Sequence, residues 1–278
     1  MTKKPASTKA QEAVLKIENA TLAFGDRVLW QDLNLEVQPH EFIAVIGSNG
    51  SGKTSLIKAI LGQEPLTAGS IKLAGAPVER GSAKIGYIPQ NRAQDGEWPV
   101  RAKDLVRFGL DGHKWGIGWF LSKTARDARV KVKRTLASVE ASALANKTVG
   151  KLSGGELQRL RVGQAVIGSP DLILADEPLS ALDLHQQRTV AELLETERRE
   201  HNAAVLFVTH DVNPILGMVD RVLYLANGQF RIGTPDEVLR SEVLSELYGT
   251  AVDVVRNQGR IVVVGVHEHD HHPDEEWH

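Results

Sequence analysis

Apolar and polar residues alternate in two early stretches, VLKIENATLAF (14–24) and VLWQDLNLEV (28–37). A period of two buries one face of an extended strand, so both read as strands of an antiparallel layer. EFIAVIG (41–47) is continuously apolar, the pattern of a strand covered on both faces, and it runs into a glycine-rich stretch. KTSLIKAILG (53–62) changes to helical spacing and stops at Gly62, after which SIKLAG and KIGYIPQ return to strand patterns.

From about 91 the β patterns vanish. TARDARVKVKRTLASV (124–139) sets Ala125, Ala128, Val132, Leu136 and Val139 on one helical face, which predicts a helical subdomain inserted at about 91–165. Helices and strands then alternate: GELQRLRVGQAVIG, LILAD, LHQQRTVAELLETERRE, AAVLFVT and RVLYLAN. LILAD and VLFVT are unbroken apolar runs, as parallel strands between two helical layers require. VDVVRNQGRIVVVGV predicts a hairpin over 251–266 that turns near Asn257 and Gly259. The expected organisation is a disordered leader at 1–12, an α/β domain at 13–250, that hairpin, and a tail at 267–278.

GSNGSGKT, from Gly47 through Ser48, Asn49, Gly50, Ser51, Gly52 and Lys53 to Thr54, fits the pattern G-x-x-x-x-G-K-[ST] between a strand and a helix. Glycines let successive N–H groups turn inward around phosphate oxygens, and the helix start adds partial positive charge. Lys53 would reach the β- and γ-phosphates of ATP, Thr54 would ligate Mg²⁺, and Ser55 completes the loop's contact set. LILADE ends a strand in two carboxylates. Asp176 is placed to hold the Mg²⁺ through water, and Glu177 to polarise the attacking water as general base.

LSGGELQR (152–159) lies between those two motifs and resembles the signature of ABC-type ATPases. Further family motifs appear in order: Gln90 in YIPQ looks like the Q-loop glutamine, SALD (180–183) the D-loop, and His210 in VTHD the switch histidine. Phe24 occupies the position of the aromatic that stacks on adenine, where Tyr is more usual. The resemblance covers about 13–250 and implies a P-loop α/β core with an antiparallel β subdomain and an inserted α-helical subdomain. It implies that Gln90 ligates Mg²⁺ and that His210 contacts the γ-phosphate. It also implies that Ser153, Gly154, Gly155, Glu156 and Asp183 complete the nucleotide pocket of a second copy in a head-to-tail homodimer.

Composition narrows the kind of protein. A net charge of -2 offers no pull towards nucleic acid or anionic lipid, so no nucleic-acid partner is expected. The absence of cysteine excludes disulfides and thiolate metal sites. The longest apolar runs, such as IVVV, fall far short of the roughly 20 residues that span a bilayer. A single motif set without spanning segments or a long heptad insert resembles the separate ATPase subunit of an importer. Such a subunit is cytoplasmic, peripheral on the inner face of the membrane, and docked on an integral permease that an extracytoplasmic solute-binding protein supplies.

The stretch after Gln90, with an acid, Trp98-Pro99 and DLVRFG, resembles the metal-cation branch, which carries zinc or manganese; Trp115, Trp119 and Phe120 add further aromatic surface. Carriers of chelated iron, cobalamin or other solutes share much of this pattern, and a soluble ABC ATPase acting on nucleic acid is the rival from another class. The tail HEHDHHPDEEWH sets His267, His269, His271 and His272 among acids. Such donors suit borderline divalent ions and would serve metal sensing or buffering in a metal importer; the alternative is a solvated end with only weak, nonspecific metal affinity.

Overall fold

The fold was obtained as a computed structural model that describes residues 12–90, 99–111, 123–180 and 182–265. In chain order the strands and helices begin β1 (Leu15–Phe24), β2 (Arg27–Val37), β3 (Phe42–Gly47), α1 (Lys53–Ile60), β4 (Ala68–Leu73), β5 (Ala76–Pro77) and β6 (Ile85–Ile88). The helical region holds α2 (Ala102–Asp111), α3 (Lys123–Ser138) and α4 (Gly154–Val166). Then come β7 (Leu172–Asp176), α5 (Leu184–His201), β8 (Ala204–Val208), β9 (Arg221–Ala226), β10 (Gln229–Gly233), α6 (Pro235–Val238), α7 (Ser241–Tyr248), β11 (Val252–Asn257) and β12 (Arg260–Gly265).

The alternating early stretches pair antiparallel, as their period requires, in a four-stranded layer ordered β2-β1-β4-β5. The continuous apolar runs form a second sheet, β10-β9-β3-β8-β7-β6, in which β9, β3, β8, β7 and β6 are parallel. β3, β7 and β8 are buried at every position, which is why none of them alternates. One face of the parallel sheet packs through Ile43, Val45, Leu206 and Leu223 against α1 and the antiparallel layer. The other packs through Phe42, Phe207 and Ile173 against α4, α5 and α7.

Ala102, Val106, Val132, Leu136, Val139 and Leu160 form a separate core for the helical region. Ala125 and the aromatic residues Trp98, Trp115, Trp119 and Phe120 lie outside the residues whose side chains are described. α4 contributes Leu157 and Leu160 to the helical core but Val162, Ala165 and Val166 to the sheet core. It therefore has no single apolar stripe and joins two layers. Sequence periodicity had not marked β10, α6 or α7. They close the sheet's edge and bed the β11–β12 hairpin, where Val252 N–H donates to Ser245 Oγ (2.9 Å) and Val254 N–H to Ser241 Oγ (2.9 Å).

Candidate nucleotide site

The parallel sheet decides where the motifs meet. Gly47 closes β3, and Gln90, Glu177 and His210 follow β6, β7 and β8, so all four stand at the carboxyl ends of neighbouring strands. In open α/β sheets that rim is where ligands bind.

The glycine-rich loop passes from β3 into α1 through close backbone contacts. A Cβ on Gly47 would stand 2.1 Å from the Leu225 carbonyl oxygen, and one on Gly52 would stand 2.9 Å from the Trp30 ring. Trp30 is fully buried and forms the loop's floor. Gly52 caps α1 in the left-handed region (φ 95°) with no side-chain hydrogen bond, and no acid lies in the first turn. The helix's first N–H groups are thus left to a ligand. Ser51 Oγ is buried among these groups and has no hydrogen-bond partner among the described residues.

Lys53 is buried and donates to the carbonyl oxygens of Gly47 (2.8 Å) and Ser48 (2.9 Å). Burial pulls its pKa below the ordinary lysine value, while the nearby Glu177 and Asp176 carboxylates push it back up. A buried cation whose hydrogen bonds, among the described residues, go to two carbonyl oxygens is suited to receive phosphate oxygens.

Thr54 Oγ1 faces the buried Asp176, donating to its carboxylate at 3.5 Å. Just beyond, Glu177 adopts a left-handed backbone (φ 48°) and its N–H donates to the Val208 carbonyl (3.0 Å). A non-glycine residue there carries strain of order 1–3 kcal/mol, and the surrounding bonds hold it in place. The Glu177 carboxylate accepts from Gln90 Nε2 at 2.6 Å and is paired with His210 Nε2. The hydroxyl and carboxylate oxygens of Thr54 and Asp176 are hard donors of the kind that suits Mg²⁺, and the Gln90 amide is held at the next residue, Glu177.

At the tip of the β1–β2 turn Phe24 pairs with Arg27, and its ring is 49% exposed. Arg27 Nη2 donates to the Gly50 carbonyl at 2.9 Å, so the turn leans on the loop. A cavity of about 210 Å³ opens there between Arg27, Ser48, Asn49, Ser51, Asn227 and Gly228. Arg27 was missed in the sequence; its one signal is a cation placed directly after the Gly25-Asp26 turn.

The signature segment forms a second helix start. Ser153 caps α4: its Oγ accepts the Glu156 N–H (3.2 Å), and the Glu156 carboxylate accepts the Ser153 N–H (2.9 Å). That Ser153 N–H, with Lys147 nearby, holds the Glu156 carboxyl below the usual carboxylate range. The N–H groups of Gly154 and Gly155 stay outside this box. A Cβ on Gly155 would stand 2.4 Å from the Gln186 side chain, so the segment lies against the first turn of α5. Asp183 caps α5 by accepting the Gln186 N–H at 2.8 Å. Among the described residues no hydrogen bond links Ser153–Glu156 to the loop from Gly47 to Ser55.

The described residues hold no group of three or more His, Cys, Asp or Glu side chains that could bind a metal ion, and His267, His269, His271 and His272 lie outside them. Among the described residues no helix is long and apolar enough to cross a membrane.

Fold and rim together define a P-loop nucleotide-binding ATPase. Comparison with known proteins narrows that class. The ABC transporter family matches residues 30–180. The chain is 31% identical over 245 residues to the manganese transport system ATP-binding protein MntB of Bacillus subtilis (strain 168), covering 88% of this chain and 96% of that protein. It is 29% identical over 245 residues to the zinc transport system ATP-binding protein TroB of Treponema pallidum (strain Nichols), covering 88% and 90%. Among solved structures, an inward-facing conformation of a metal-chelate type ABC transporter aligns with TM-score 0.74 at 25% identity, over 92% of this chain and 99% of that one. A nucleotide-free ATP-binding cassette from an ABC transporter aligns with TM-score 0.68 at 21% identity, over 84% and 95%. The chain belongs to the ABC transporter family and is an ATPase whose hydrolysis is coupled to transport.

Proposed function

We propose that this ATPase powers an importer for a divalent transition metal, zinc or manganese. The observation that carries the reading is the near full-length similarity to two ATP-binding proteins of manganese and zinc transport systems. Uptake by the reconstituted complex, assayed with Zn²⁺, Mn²⁺, ferric chelates and cobalamin, tests it. ATP-dependent accumulation of Zn²⁺ or Mn²⁺ is expected; accumulation only of a chelate would replace it. The likeness to a metal-chelate type transporter makes that second outcome the specific alternative.

In this reading the γ-phosphate of ATP enters the loop between Gly47 and Thr54. The N–H groups at the start of α1 and the Ser51 hydroxyl meet phosphate oxygens, and Lys53 exchanges its two carbonyl partners for the β- and γ-phosphates. Phe24 stacks on the adenine, a contact on the order of 1–3 kcal/mol by analogy with single-stranded nucleic-acid binding. Thr54, Asp176 and Gln90 would hold Mg²⁺, which supplies neutralisation of the charge developing on the phosphates. Glu177 exchanges its two side-chain partners for the attacking water and accepts its proton. His210, released from Glu177, donates to the γ-phosphate. Gln90 parts from Glu177 in the same event and so carries the state of the site into the helical region.

Completion of the pocket falls to a second copy. Ser153, Gly154 and Gly155 would offer hydroxyl and N–H donors across the dimer interface, with Glu156 orienting Ser153 and Asp183 setting the turn into α5. Leu184, next to Asp183, is 82% exposed, the highest exposure among the large apolar side chains described, and supports a covering partner there. The dimer would dock on an integral permease at the inner face of the membrane, supplied from outside by a solute-binding protein. The histidines of the tail are assigned to metal sensing, tested by comparing metal-dependent regulation of uptake in the full chain and in one with His267, His269, His271 and His272 replaced by Ala. Unchanged regulation would reduce the tail to a solvated end.

A further inference from the structure

The loop after β8 carries His210 into the site and is tied at its far side to the β11–β12 hairpin. Asp211 N–H donates to Thr209 Oγ1 (3.1 Å), and Thr209 Oγ1 donates to the Asp211 carbonyl (2.7 Å), which locks a tight turn around His210. The Asp211 carboxylate then accepts both the backbone N–H (2.9 Å) and the side-chain Nδ2 (2.7 Å) of Asn213. So oriented, the Asn213 amide meets the backbone of Ile261 at two points: Nδ2 donates to its carbonyl (2.9 Å), and Oδ1 accepts its N–H (2.8 Å). Ile261 is paired in register with Arg256 of β11, so these groups belong to the outer edge of β12, and Asn213 takes the place of a further strand.

The hairpin is a firm anchor. Ser241 and Ser245 of α7 accept from β11, and Arg256 Nη1 is paired with Asp236 of α6 at 2.6 Å. α7 is in turn fixed to β9, since the hydroxyls of Tyr224 and Tyr248 lie 3.0 Å apart. Beside His210 a cavity of about 460 Å³ adjoins Gly47, Asn213, Tyr224, Tyr248 and Ile261. Val212 and Ile215 are buried below the loop, and the cavity is lined by His210 together with the hairpin residues Ile261, Val262 and Val263.

We infer that Asn213 is a positioning residue for hydrolysis: bound to Ile261, it sets where His210 stands, and the hairpin is thereby part of the switch. This rests on the reading of His210 as the group that meets the γ-phosphate. Misplacing a catalytic group by about 1 Å can cost on the order of 100-fold in rate, whereas ATP is bound mainly by the loop before α1.

The test uses the full chain in its reconstituted transporter. Asn213→Ala is expected to lower kcat about tenfold while KM for ATP stays within about twofold, the signature of a group that acts only in the transition state. Ile261→Pro removes the same edge N–H and should do likewise. The double variant should lose no more than the worse single, because both cut one connection. Should Asn213→Ala fail to fold, Asn213→Gln, which keeps both amide groups one methylene out of place, carries the same measurement. An unchanged kcat, a KM that rises in step with the loss, or a double variant whose losses multiply would overturn the inference. His210→Ala separates the two layers of argument: wild-type turnover there removes His210 from its role, whereas lost turnover there with full turnover in Asn213→Ala removes only the brace.

Discussion

Two helix starts in this molecule follow the same local logic and end differently. At α1 the cap is Gly52, with no side-chain hydrogen bond and no acid in the first turn; at α4 Ser153 and Glu156 satisfy one another in a complete capping box. Both starts carry the partial positive charge of aligned peptide dipoles. The first leaves that charge and its N–H groups to a ligand and backs them with buried Lys53. The second spends two of its donors internally and sets a carboxylate within its own first turn. A terminus so capped is a weak anion site alone, because Glu156 opposes an incoming phosphate. On the proposed reading the difference fits α1 to grip nucleotide unaided and α4 to add a final contact across a dimer.

The sharpest test concerns which start has chemistry attached. Glu177→Gln keeps the size and hydrogen-bonding reach of the acid near Lys53 but removes the proposed base. Turnover should fall about 10²–10⁴-fold with ATP still bound, as single-turnover and equilibrium binding measurements would register. Retained turnover would leave the α1 side without its base. Next in size is Lys53→Ala, which removes the buried cation. ATP affinity measured by titration calorimetry should drop about 10–100-fold, the scale of a lost charge-assisted hydrogen bond. An affinity unchanged by that substitution would mean that the bare helix start grips phosphate alone.

Ser153→Ala should act the opposite way. It costs about 1 kcal/mol of stability in thermal unfolding, the usual worth of an N-cap, and lowers turnover while the affinity of a single chain for ATP stays put. Weakened binding in a single chain would erase the contrast between the two ends. The smallest effect is acid sensitivity at α4. The folded protein holds the Glu156 carboxyl below the usual range, so its contribution is present above the ordinary value of roughly 4.3 and is lost as pH falls through the lowered folded value. Glu156→Gln should flatten that part of the stability profile below about pH 4, as denaturant titrations at stepped pH would show.

Much of the site was legible because its parts are local. The loop from Gly47 to Thr54 is contiguous, and its three glycines all take positive φ, a backbone preference written in the residues themselves. LILAD and VLFVT announced parallel strands by their unbroken apolarity, and the parallel sheet then delivered Gln90, Glu177 and His210 to one rim. Other features had no such signal. The Arg27–Gly50 bond joins two turns, and the link from Asn213 to Ile261 crosses 48 residues of chain. Trp30 read as one more apolar strand residue, and only packing made it the floor beneath Gly52. The helix α6 was hidden for a related reason: its single turn is too short for a period to show.

The sequence by itself determined the elements with a strong period and the contiguous glycine-rich loop that joins β3 to α1, and it offered the residue types proposed for hydrolysis. Those properties are written in neighbouring residues and in backbone preferences that act over a few positions. Tertiary structure alone decided which polar groups face one another: Gln90 and His210 on Glu177, Thr54 on Asp176, and Asn213 on the edge of β12. The reason is that a hydrogen bond depends on distances of about 3 Å, which sheet order and layer packing set and no pattern along the chain encodes.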